Sequence, residues 1–518
     1  MAERAARSSR RGRRARSDTA TEKSVLEQLP WKQLKHSGGF TEVATQQQLE
    51  MIHDASMTIL EEVGIEILND EARRLMVEAG AKLDSNGSKV YFDRGLILEK
   101  IATVPSEFTL HARNPARSIK IGHPYINFGS VASAPNTNSL DGGRRVGNQQ
   151  DYRDFLRLTQ QFNIIHFNSG YPVEPVDVHA SVRHLDCLAD CVKLMDKPFH
   201  AYSLGAQRNI DGLEIARIGR GISRSQLEEE PSLFTVINSS SPLRLDDPML
   251  QGIIEMSSVN QPVILTPFTL AGAMAPVTIA GALAQQNAEA LAGIAFTQIV
   301  RAGSPAVYGG FTSNVDMKSG APAFGTPEYI RAAQISGQLA RRYGIPFRSS
   351  NVNASNIADA QAGYESTMAL WGAISGGCNF VMHGAGWMEG GLSASFEKFV
   401  MDADLLQMMA VYLEGIEIND ASLALDAVRD VGPGGHYFGT QHTMDRYKDA
   451  FYSPLISDWR NFESWEEAGS PDALQRANKI YKQALEEYEE PALDPAIREE
   501  LDAFVAKRKQ EGGVATDF

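Results

Sequence analysis

The chain is poor in cysteine, with three residues among 518. So few thiols cannot form the disulfide framework that stabilises many small secreted proteins. The sequence also opens without a secretory leader, and we therefore expect a protein of the reducing cytoplasm.

Long uninterrupted apolar runs are missing as well. The nearest candidate, residues 261–285, has no charge but contains Pro262, Pro267 and Pro276. These prolines favour buried strand, loop and helix over one membrane-spanning helix, so we predict no membrane association.

Positive charge is concentrated at the N-terminus. The first sixteen residues contain seven Arg and one Glu, so the remaining chain carries −21 although the whole carries −15. An acidic body disfavours nucleic-acid binding. Residues 1–22 are predicted to form a disordered basic tail, with an interaction arm or a transit peptide as alternatives.

Between residues 120 and 415 one pattern repeats eight times: an apolar strand-like run, a loop rich in small polar residues, and an amphipathic helical segment. The predicted strands are 126–130, 164–168, 199–203, 233–238, 262–266, 306–310, 345–349 and 379–383. The predicted helices are 150–161, 178–195, 207–219, 248–258, 283–299, 326–342, 359–374 and 396–413. Alternating strands and helices indicate parallel pairing through helical crossovers.

Eight such units predict an α/β fold, a (β/α)8 TIM barrel at residues 120–415. A doubly wound open sheet is the alternative, but its Gly-x-Gly-x-x-Gly fingerprint after the first strand is missing. Residues 23–119 are predicted to form an N-terminal α+β cap, and residues 416–518 a helical C-terminal extension.

Reactive groups of such barrels lie where the strands end. Arg348 and His383 end the seventh and eighth predicted strands. The Arg348 guanidinium needs a carboxylate, which is either a neighbour such as Glu389 in a structural ion pair or a substrate held in a bidentate clamp. His383 is either a core histidine bonded to a backbone carbonyl or a residue that orients or protonates substrate.

Aromatic side chains cluster at the predicted strand ends and in the loops beyond them. They are Phe128, Phe268, Tyr308, Phe311, Phe324 and Trp387. Such residues either fill the mouth of a barrel or, if they converge, surround a quaternary ammonium group through cation–π attraction.

Other catalytic signatures are missing, including the nucleophile elbow, the His-Glu-x-x-His motif and the Walker loop. His184, Cys187 and Cys191 share one face of a predicted helix, but barrel helices lie away from the mouth and cysteine is a common buried residue. We predict no metal site.

Several loop motifs closely resemble the trimethylamine methyltransferase (MttB) family. They are Tyr308-Gly-Gly-Phe through Gly325-Thr-Pro-Glu-Tyr, residues 340–350, Asp359-Ala-Gln-Ala-Gly-Tyr-Glu, residues 383–392, Gly432-Pro-Gly-Gly-His, and His442-Thr443. The resemblance covers nearly everything after the basic head.

The resemblance implies a (β/α)8 methyltransferase that moves a methyl group from a methylated amine to the cobalt of a separate corrinoid protein. The archaeal trimethylamine enzymes carry pyrrolysine, which this sequence lacks, so quaternary amines such as glycine betaine become the expected substrates, with tertiary methylamines as the alternative. We place the corresponding position in residues 351–356, at Asn353. A cobalamin-binding Asp-x-His-x-x-Gly motif is missing, because residues 177–182 lack the glycine. We therefore expect no tightly bound cofactor, a corrinoid protein as partner, and a homo-oligomer.

The resemblance then assigns roles. Arg348 and His383 hold the betaine carboxylate, the aromatic residues surround the trimethylammonium group, and Glu389 orients Arg348 or adds charge near the cation. His383, Glu389 and Asn353 are the predicted catalytic residues. Two alternatives remain: a lyase or hydrolase of the same fold that acts on a small anion, and an inactive barrel that binds amines.

Overall fold

The computed structural model describes residues 26–516, so the basic tail predicted at residues 1–22 lies outside the described part of the chain. The strands are β1 (Leu34–Lys35), β2 (Ile65–Ile67), β3 (Lys82–Leu83), β4 (Lys89–Tyr91), β5 (Glu107–Leu110), β6 (Ile119–Gly122), β7 (Tyr125–Ser130), β8 (Asn136–Ser139), β9 (Gly143–Val146), β10 (Thr235–Ile237), β11 (Arg244–Leu245), β12 (Val263–Leu265), β13 (Leu270–Ala271), β14 (Ala306–Gly309), β15 (Ser313–Val315), β16 (Pro322–Ala323), β17 (Phe347–Ser350), β18 (Phe380–Ala385), β19 (Trp387–Met388) and β20 (Ser393–Ser395).

The α-helices are α1 (Gln46–Thr58), α2 (Asp70–Glu78), α3 (Arg94–Ile101), α4 (Gln149–Gln161), α5 (Ala180–Leu194), α6 (Ala206–Arg220), α7 (Arg224–Glu229), α8 (Asp247–Ser258), α9 (Ile279–Val300), α10 (Pro327–Tyr343), α11 (Ala360–Ser375), α12 (Phe396–Glu414), α13 (Asp420–Leu423), α14 (Leu425–Val431), α15 (Gln441–Met444), α16 (Phe462–Glu467), α17 (Ala473–Glu486) and α18 (Pro495–Gln510). A π-helical turn at Ile59–Val63 and 3-10 turns at Pro115–Arg117 and Glu389–Gly391 complete the helical elements of residues 26–516.

The central sheet is parallel. Its strands follow the order β10, β12, β14, β17, β18, β7, and each neighbouring pair runs parallel. Two further segments continue the array from β7 back to β10 through single parallel bridges, Gly129 with Phe167, Asn168 with Phe199, and His200 with Phe234. These segments coincide with the predicted strands at 164–168 and 199–203. The predicted α/β class is confirmed.

The eight helices predicted between residues 120 and 415 all form, as α4, α5, α6 and α8 to α12. Local chemistry sets their ends, as α10 illustrates. The Thr326 hydroxyl accepts from the Tyr329 backbone N–H at 3.3 Å, Pro327 occupies the first turn, and Gly344 ends the helix at φ +68°. These are the N-cap, first-turn proline and left-handed C-cap that favour a helix at this span.

Strand alternation divides the core into two layers. The inner layer is a buried cluster inside the curved sheet, made of Phe167, Phe234, Ile264, Val307, Phe380 and Met382, and the β5–β6 hairpin adds Leu110, Ile119 and Ile121. The larger outer layer lies between the strands and the helices. A residue one position along a strand therefore changes layer.

The flanking regions are joined to this core. β1 pairs antiparallel with β7, and β11 pairs parallel with β2, so strands of the predicted cap bond strands of the predicted barrel segment. In the C-terminal region α17 packs on α12, and α18 packs on α5 and α6. Within residues 26–516, no helix is both long and apolar enough to span a bilayer.

Candidate active site

A cavity of about 300 Å³ opens at the carboxyl ends of the parallel strands. Such strand ends are where binding groups meet in parallel α/β folds. Six different strand ends contribute side chains to its wall: His200, Asn238, Thr266, Phe311, Arg348 and His383.

Arg348 is a buried cation at the base of this cavity. Alternation along β17 places Phe347 in the outer core layer and turns Arg348 inward, where it is 2% exposed. Its Nη1 donates to the Gly310 carbonyl at 3.4 Å, and its Nε has no hydrogen-bond partner. The guanidinium carbon lies 5.4 Å from the centroid of the Phe311 ring.

The charge of Arg348 is not balanced by an acidic side chain. Within residues 26–516, no carboxylate comes within ion-pair distance of its nitrogens. Burial lowers the pKa of Arg348 to about 10, so the group is still protonated at neutral pH. The hydroxyls of Ser169 and Thr266, which line the same cavity, also lack hydrogen-bond partners. An anion in the cavity would satisfy these groups.

His383 reaches the cavity through an irregularity of β18. The register between β18 and β7 shifts between Val381 and Ala385, and His383 adopts φ +55°. Such a bulge re-aims a side chain that regular alternation would turn away. The Nδ1 atom lies 3.1 Å from the Ser350 hydroxyl. Burial, and then the charge of Arg348, lower the pKa of His383 well below its usual value, so the ring is neutral.

An aromatic wall stands above these polar groups. The centroid of the Phe311 ring lies 5.1 Å from that of Phe268, 5.5 Å from that of Phe324 and 6.3 Å from that of Trp387. The rings of Trp387 and His383 are 5.5 Å apart. Phe268, Phe311 and Trp387 line the cavity, and Phe324 supports them from behind. The faces of these rings can attract a cation. Because the rings carry no charge, they do so without placing a carboxylate near Arg348.

Two predicted aromatic residues lie elsewhere. Tyr308 and Phe128 both belong to the outer core layer. On β14 the inward position is occupied by Val307, so alternation turns Tyr308 outward. The Tyr308 hydroxyl donates to Asn287 Oδ1 of α9 at 3.0 Å. Phe128 packs beside His166, with ring centroids 5.9 Å apart. Neither residue lines the cavity, so the structure does not place Tyr308 or Phe128 where the predicted substrate contacts require them.

Glu389 does not pair with Arg348. It bonds Arg144, with Oε2 2.8 Å from the Arg144 Nε. The structural ion pair considered between Arg348 and Glu389 is therefore not formed, and Glu389 cannot orient that guanidinium directly. Glu389 itself does not line the cavity, but the next two residues of its loop, Gly390 and Gly391, do.

Asn353 is a buried support of the aromatic wall. Its side-chain amide donates to the Trp387 carbonyl at 2.8 Å, and the Gly390 backbone N–H donates to the Asn353 carbonyl at 3.0 Å. Asn353 itself does not line the cavity. Its position ties the loop after β17 to the loop after β18.

A buried ion pair lies beneath the same loop. Lys398 and Asp402, both within α12, are 1% and 2% exposed and pair with each other. Lys398 also donates to the Ser366 hydroxyl at 2.7 Å, and Asp402 accepts from the Gly386 backbone N–H at 2.9 Å. The pair fixes the backbone immediately before Trp387.

The sequence reasoning missed His200 and Tyr202, which both line the cavity. His200 accepts from the Val236 backbone N–H through Nε2 at 3.1 Å, which places the proton of the neutral ring on Nδ1. Burial, and then the charge of Arg348, lower the pKa of His200 to about 3. Alternation along 199–203 was the signal available, because it turns His200 and Tyr202 to the side opposite Phe199 and Ala201.

The predicted helical set of His184, Cys187 and Cys191 does not assemble as ligands. His184 Nε2 bonds Asp211 at 2.8 Å, whereas both cysteines are buried against Tyr152. In the part of the chain that the structure describes, no group of three His, Cys, Asp or Glu side chains could hold a metal ion.

Comparison with known proteins places this chain in a family. The family model for trimethylamine methyltransferase (MTTB) matches residues 9–513. A glycine betaine methyltransferase of Desulfitobacterium hafniense (strain Y51) is 39% identical over 91% of this chain and 98% of its own length. A proline betaine:corrinoid methyltransferase of Eubacterium limosum is 27% identical over 88% of this chain and 96% of its own. A crystal structure described as the hydroxylamine complex of MtmB superposes with a TM-score of 0.47 at 12% identity, covering 86% of this chain and 93% of that one.

A parallel α/β core with a cavity at its strand ends is an arrangement suited to binding a small molecule. The chain belongs to the trimethylamine methyltransferase family, and the enzyme is a methyltransferase.

Proposed function

We propose that the enzyme transfers a methyl group from a quaternary amine that bears a carboxylate, glycine betaine first among them, to the Co(I) of a separate corrinoid protein. The observation that carries the proposal is the unbalanced Arg348 guanidinium, which opens onto the same cavity as the aromatic wall. The two ends of a betaine match these two environments. The proposal is also supported by the relatives named for glycine betaine and proline betaine.

At the polar end, Arg348 receives the carboxylate. A charge-assisted hydrogen bond from a buried guanidinium contributes about 1.5–3 kcal/mol, more than a neutral donor would. Neutral His383 stands beside it and supplies a ring nitrogen as a second polar contact. Ser169 and Thr266 offer two hydroxyls that lack partners in the protein.

At the other end, Phe268, Phe311 and Trp387 surround the trimethylammonium group. A quaternary ammonium cannot donate hydrogen bonds, so ring faces are its suitable partners, each contributing about 0.5–2 kcal/mol. The wall also holds the carbon–nitrogen bonds in a limited set of directions. A fixed direction matters because displacement at carbon requires the acceptor to approach in line with the leaving nitrogen.

The corrinoid acceptor is a second substrate that supplies a strong cobalt nucleophile. One carbon–cobalt bond forms, one carbon–nitrogen bond breaks, and the bonding pair returns to nitrogen, leaving a neutral tertiary amine. No proton moves, so the reaction needs positioned substrates more than an acid or a base. We accordingly assign His383 to substrate positioning, and Glu389 and Asn353 to holding the loop that carries Trp387.

We also propose that the eight parallel segments close into a complete (β/α)8 barrel. The order of the six ladder strands and the three single bridges between β7 and β10 support closure. In that arrangement the cavity faces the barrel mouth, from which the corrinoid protein would approach. A reducing cytoplasm suits the three free and buried thiols.

The test is direct. Purified protein is mixed with chemically reduced cobalamin and glycine betaine, and both methylcobalamin and dimethylglycine are measured. We expect the two products in equal amounts. If neither forms, while calorimetry detects betaine binding, the protein is an amine binder and methyl transfer from betaine is wrong. If trimethylamine is demethylated and betaine is not, the assigned substrate is wrong.

A further inference from the structure

One long segment of the C-terminal extension has no buried residue. Between Leu413, which is buried near the end of α12, and Ile456, every residue is exposed or only partly covered. We call residues 415–451 the arm. It contains the short helices α13, α14 and α15. Ile416, Phe438 and Phe451 are 85%, 84% and 88% exposed, respectively.

The arm is fastened at its two ends. It leaves α12 through Gly415, and beyond it the Tyr452 hydroxyl and the Leu455 backbone N–H both bond Asp404, also of α12. The hydrogen bonds and ion pairs of residues 416–451 all join residues of the arm itself. Helices of four to seven residues do not persist alone in water, so the arm requires a surface to pack on.

A matching surface lies on the body of the same chain. Tyr364, Met368 and Trp371 follow each other at helical spacing on α11, and Met408 and Tyr412 do so on α12. All five are exposed, although they are large and apolar or aromatic. The Trp371 and Tyr412 rings meet with centroids 5.6 Å apart, which makes the two rows one patch. We call these five residues the α11/α12 patch.

We propose that the arm packs on the α11/α12 patch of a second copy of this chain. Every copy has both an arm and a patch. Two copies related by a two-fold axis can therefore each place their arm on the patch of the other, which gives a closed dimer. The size is sufficient as well. Seven aromatic side chains of the arm and patch are between 40% and 88% exposed. A fully buried aromatic side chain covers roughly 150–250 Å², so covering the exposed parts of these seven would remove on the order of 800 Å² per copy from water. That area is typical of a stable interface, at about 800 Å² per partner, and exceeds the largest exposed patch of an ordinary monomer.

The position of the arm favours a second copy over the corrinoid protein. Helix α12 starts just after the strand-end loop of β18 and runs back along the sheet, so its last residues lie at the face opposite the cavity. The arm begins at that far end. A methyl acceptor must reach the cavity, whereas a second copy can bind anywhere on the surface.

The first experiment measures the mass of the full chain in solution by light scattering after gel filtration. We expect a dimer or a larger even assembly for the parent. The arm variant Phe438→Asp/Phe451→Asp and the patch variant Trp371→Glu/Tyr412→Glu should both lose this contact, a dimer becoming a monomer and a larger assembly halving or falling further in mass, with unchanged circular dichroism. The matched control Met51→Asp alters a residue that is 65% exposed on α1 and should keep the assembly. A monomeric parent, or an assembly that survives both variants, overturns the proposal.

The second experiment identifies which copy the arm touches. Phe438→Cys and Trp371→Cys are made in separate proteins, and the three native cysteines are buried and so shielded from the oxidant. After mixing and mild oxidation, we expect a disulfide-linked dimer that joins one protein of each kind. A chain carrying both substitutions that links only to itself would show that the arm folds back on its own body, and the proposal would be wrong. Neither experiment requires a methyl donor, so the outcome is independent of the proposed function.

Discussion

Replacing Arg348 by Met should weaken betaine binding and stabilise the free protein at the same time. Met preserves much of the length and apolar surface of the side chain but removes the charge and its donors. In the parent the buried guanidinium has no carboxylate partner among residues 26–516, and burial lowers its pKa from the ordinary value of an arginine to about 10. A pKa this far below the ordinary value of an arginine corresponds to about 3 kcal/mol of unfavourable burial at neutral pH.

The sign follows from the charge. A lowered pKa of a cationic group means that folding disfavours the protonated form, so the cost is complete below pH 10 and disappears only as the pH approaches 12.5. At pH 7.5 the Arg348→Met protein should therefore unfold at higher denaturant than the parent. The measurement is the urea midpoint of ligand-free protein, followed by circular dichroism.

Binding should move in the opposite direction. Loss of the charged hydrogen bonds costs about 3 kcal/mol, which is roughly a 150-fold rise in the betaine Kd. Calorimetry of both proteins with glycine betaine measures it. Choline is the control ligand, because it keeps the quaternary ammonium and lacks the carboxylate, and its affinity should not fall. If Arg348→Met binds betaine within twofold of the parent, the carboxylate assignment is refuted.

Three further predictions test the wall, its support and the acid limit. Trp387→Ala should raise the betaine Kd, measured by calorimetry, about 30-fold, because about 2 kcal/mol of cation–π attraction is lost. The control Tyr308→Phe, outside the cavity, should leave the Kd unchanged. Equal effects of the two substitutions would contradict the placement of the wall. Lys398→Met should lower the free energy of unfolding, measured by urea titration, by about 3–5 kcal/mol, because Asp402 is left buried without its cation. The double variant Lys398→Met/Asp402→Asn should recover most of that lost stability. Burial lowers the pKa of His166 to about 4, so folding favours the neutral ring. The free energy of unfolding should therefore decline by about 3 kcal/mol as the pH falls from 6.5 to 4. His166→Asn should flatten this part of the stability profile, and an unchanged slope would oppose the reasoning.

Helical periodicity was the most informative part of the sequence. Each of the eight helices predicted between residues 120 and 415 forms within four residues of its expected ends, because amphipathic spacing and capping residues are local properties. The second and third predicted strands are present at the expected positions but form no continuous ladder. They pair only through single bridges, since hydrogen bonds between strands depend on partners far along the chain.

Site residues on regular strands could be predicted from alternation, and those on irregular ones could not. Arg348 lies where alternation along β17 places it, and the same rule excludes Tyr308 from the cavity. His383 is the reverse case. Phe380 and Met382 are the inward residues of β18, so regular alternation would turn His383 outward, and only the register shift brings it into the cavity. Nothing in the local sequence fixes that shift.

The pairing of Glu389 with Arg144 bears on how the cavity keeps its charge. Glu389 is the carboxylate of the loop next to Trp387, and it would compete with a substrate carboxylate if it turned toward Arg348. Arg144, on β9, holds it elsewhere through a contact that spans 245 residues of sequence. With Glu389 bonded to Arg144, no acidic side chain of residues 26–516 lies within ion-pair distance of Arg348. A quaternary amine that lacks a carboxylate would add a second positive charge beside Arg348, whereas a betaine would bring the anion that balances it, and under the proposed function this electrostatic difference favours betaines as methyl donors.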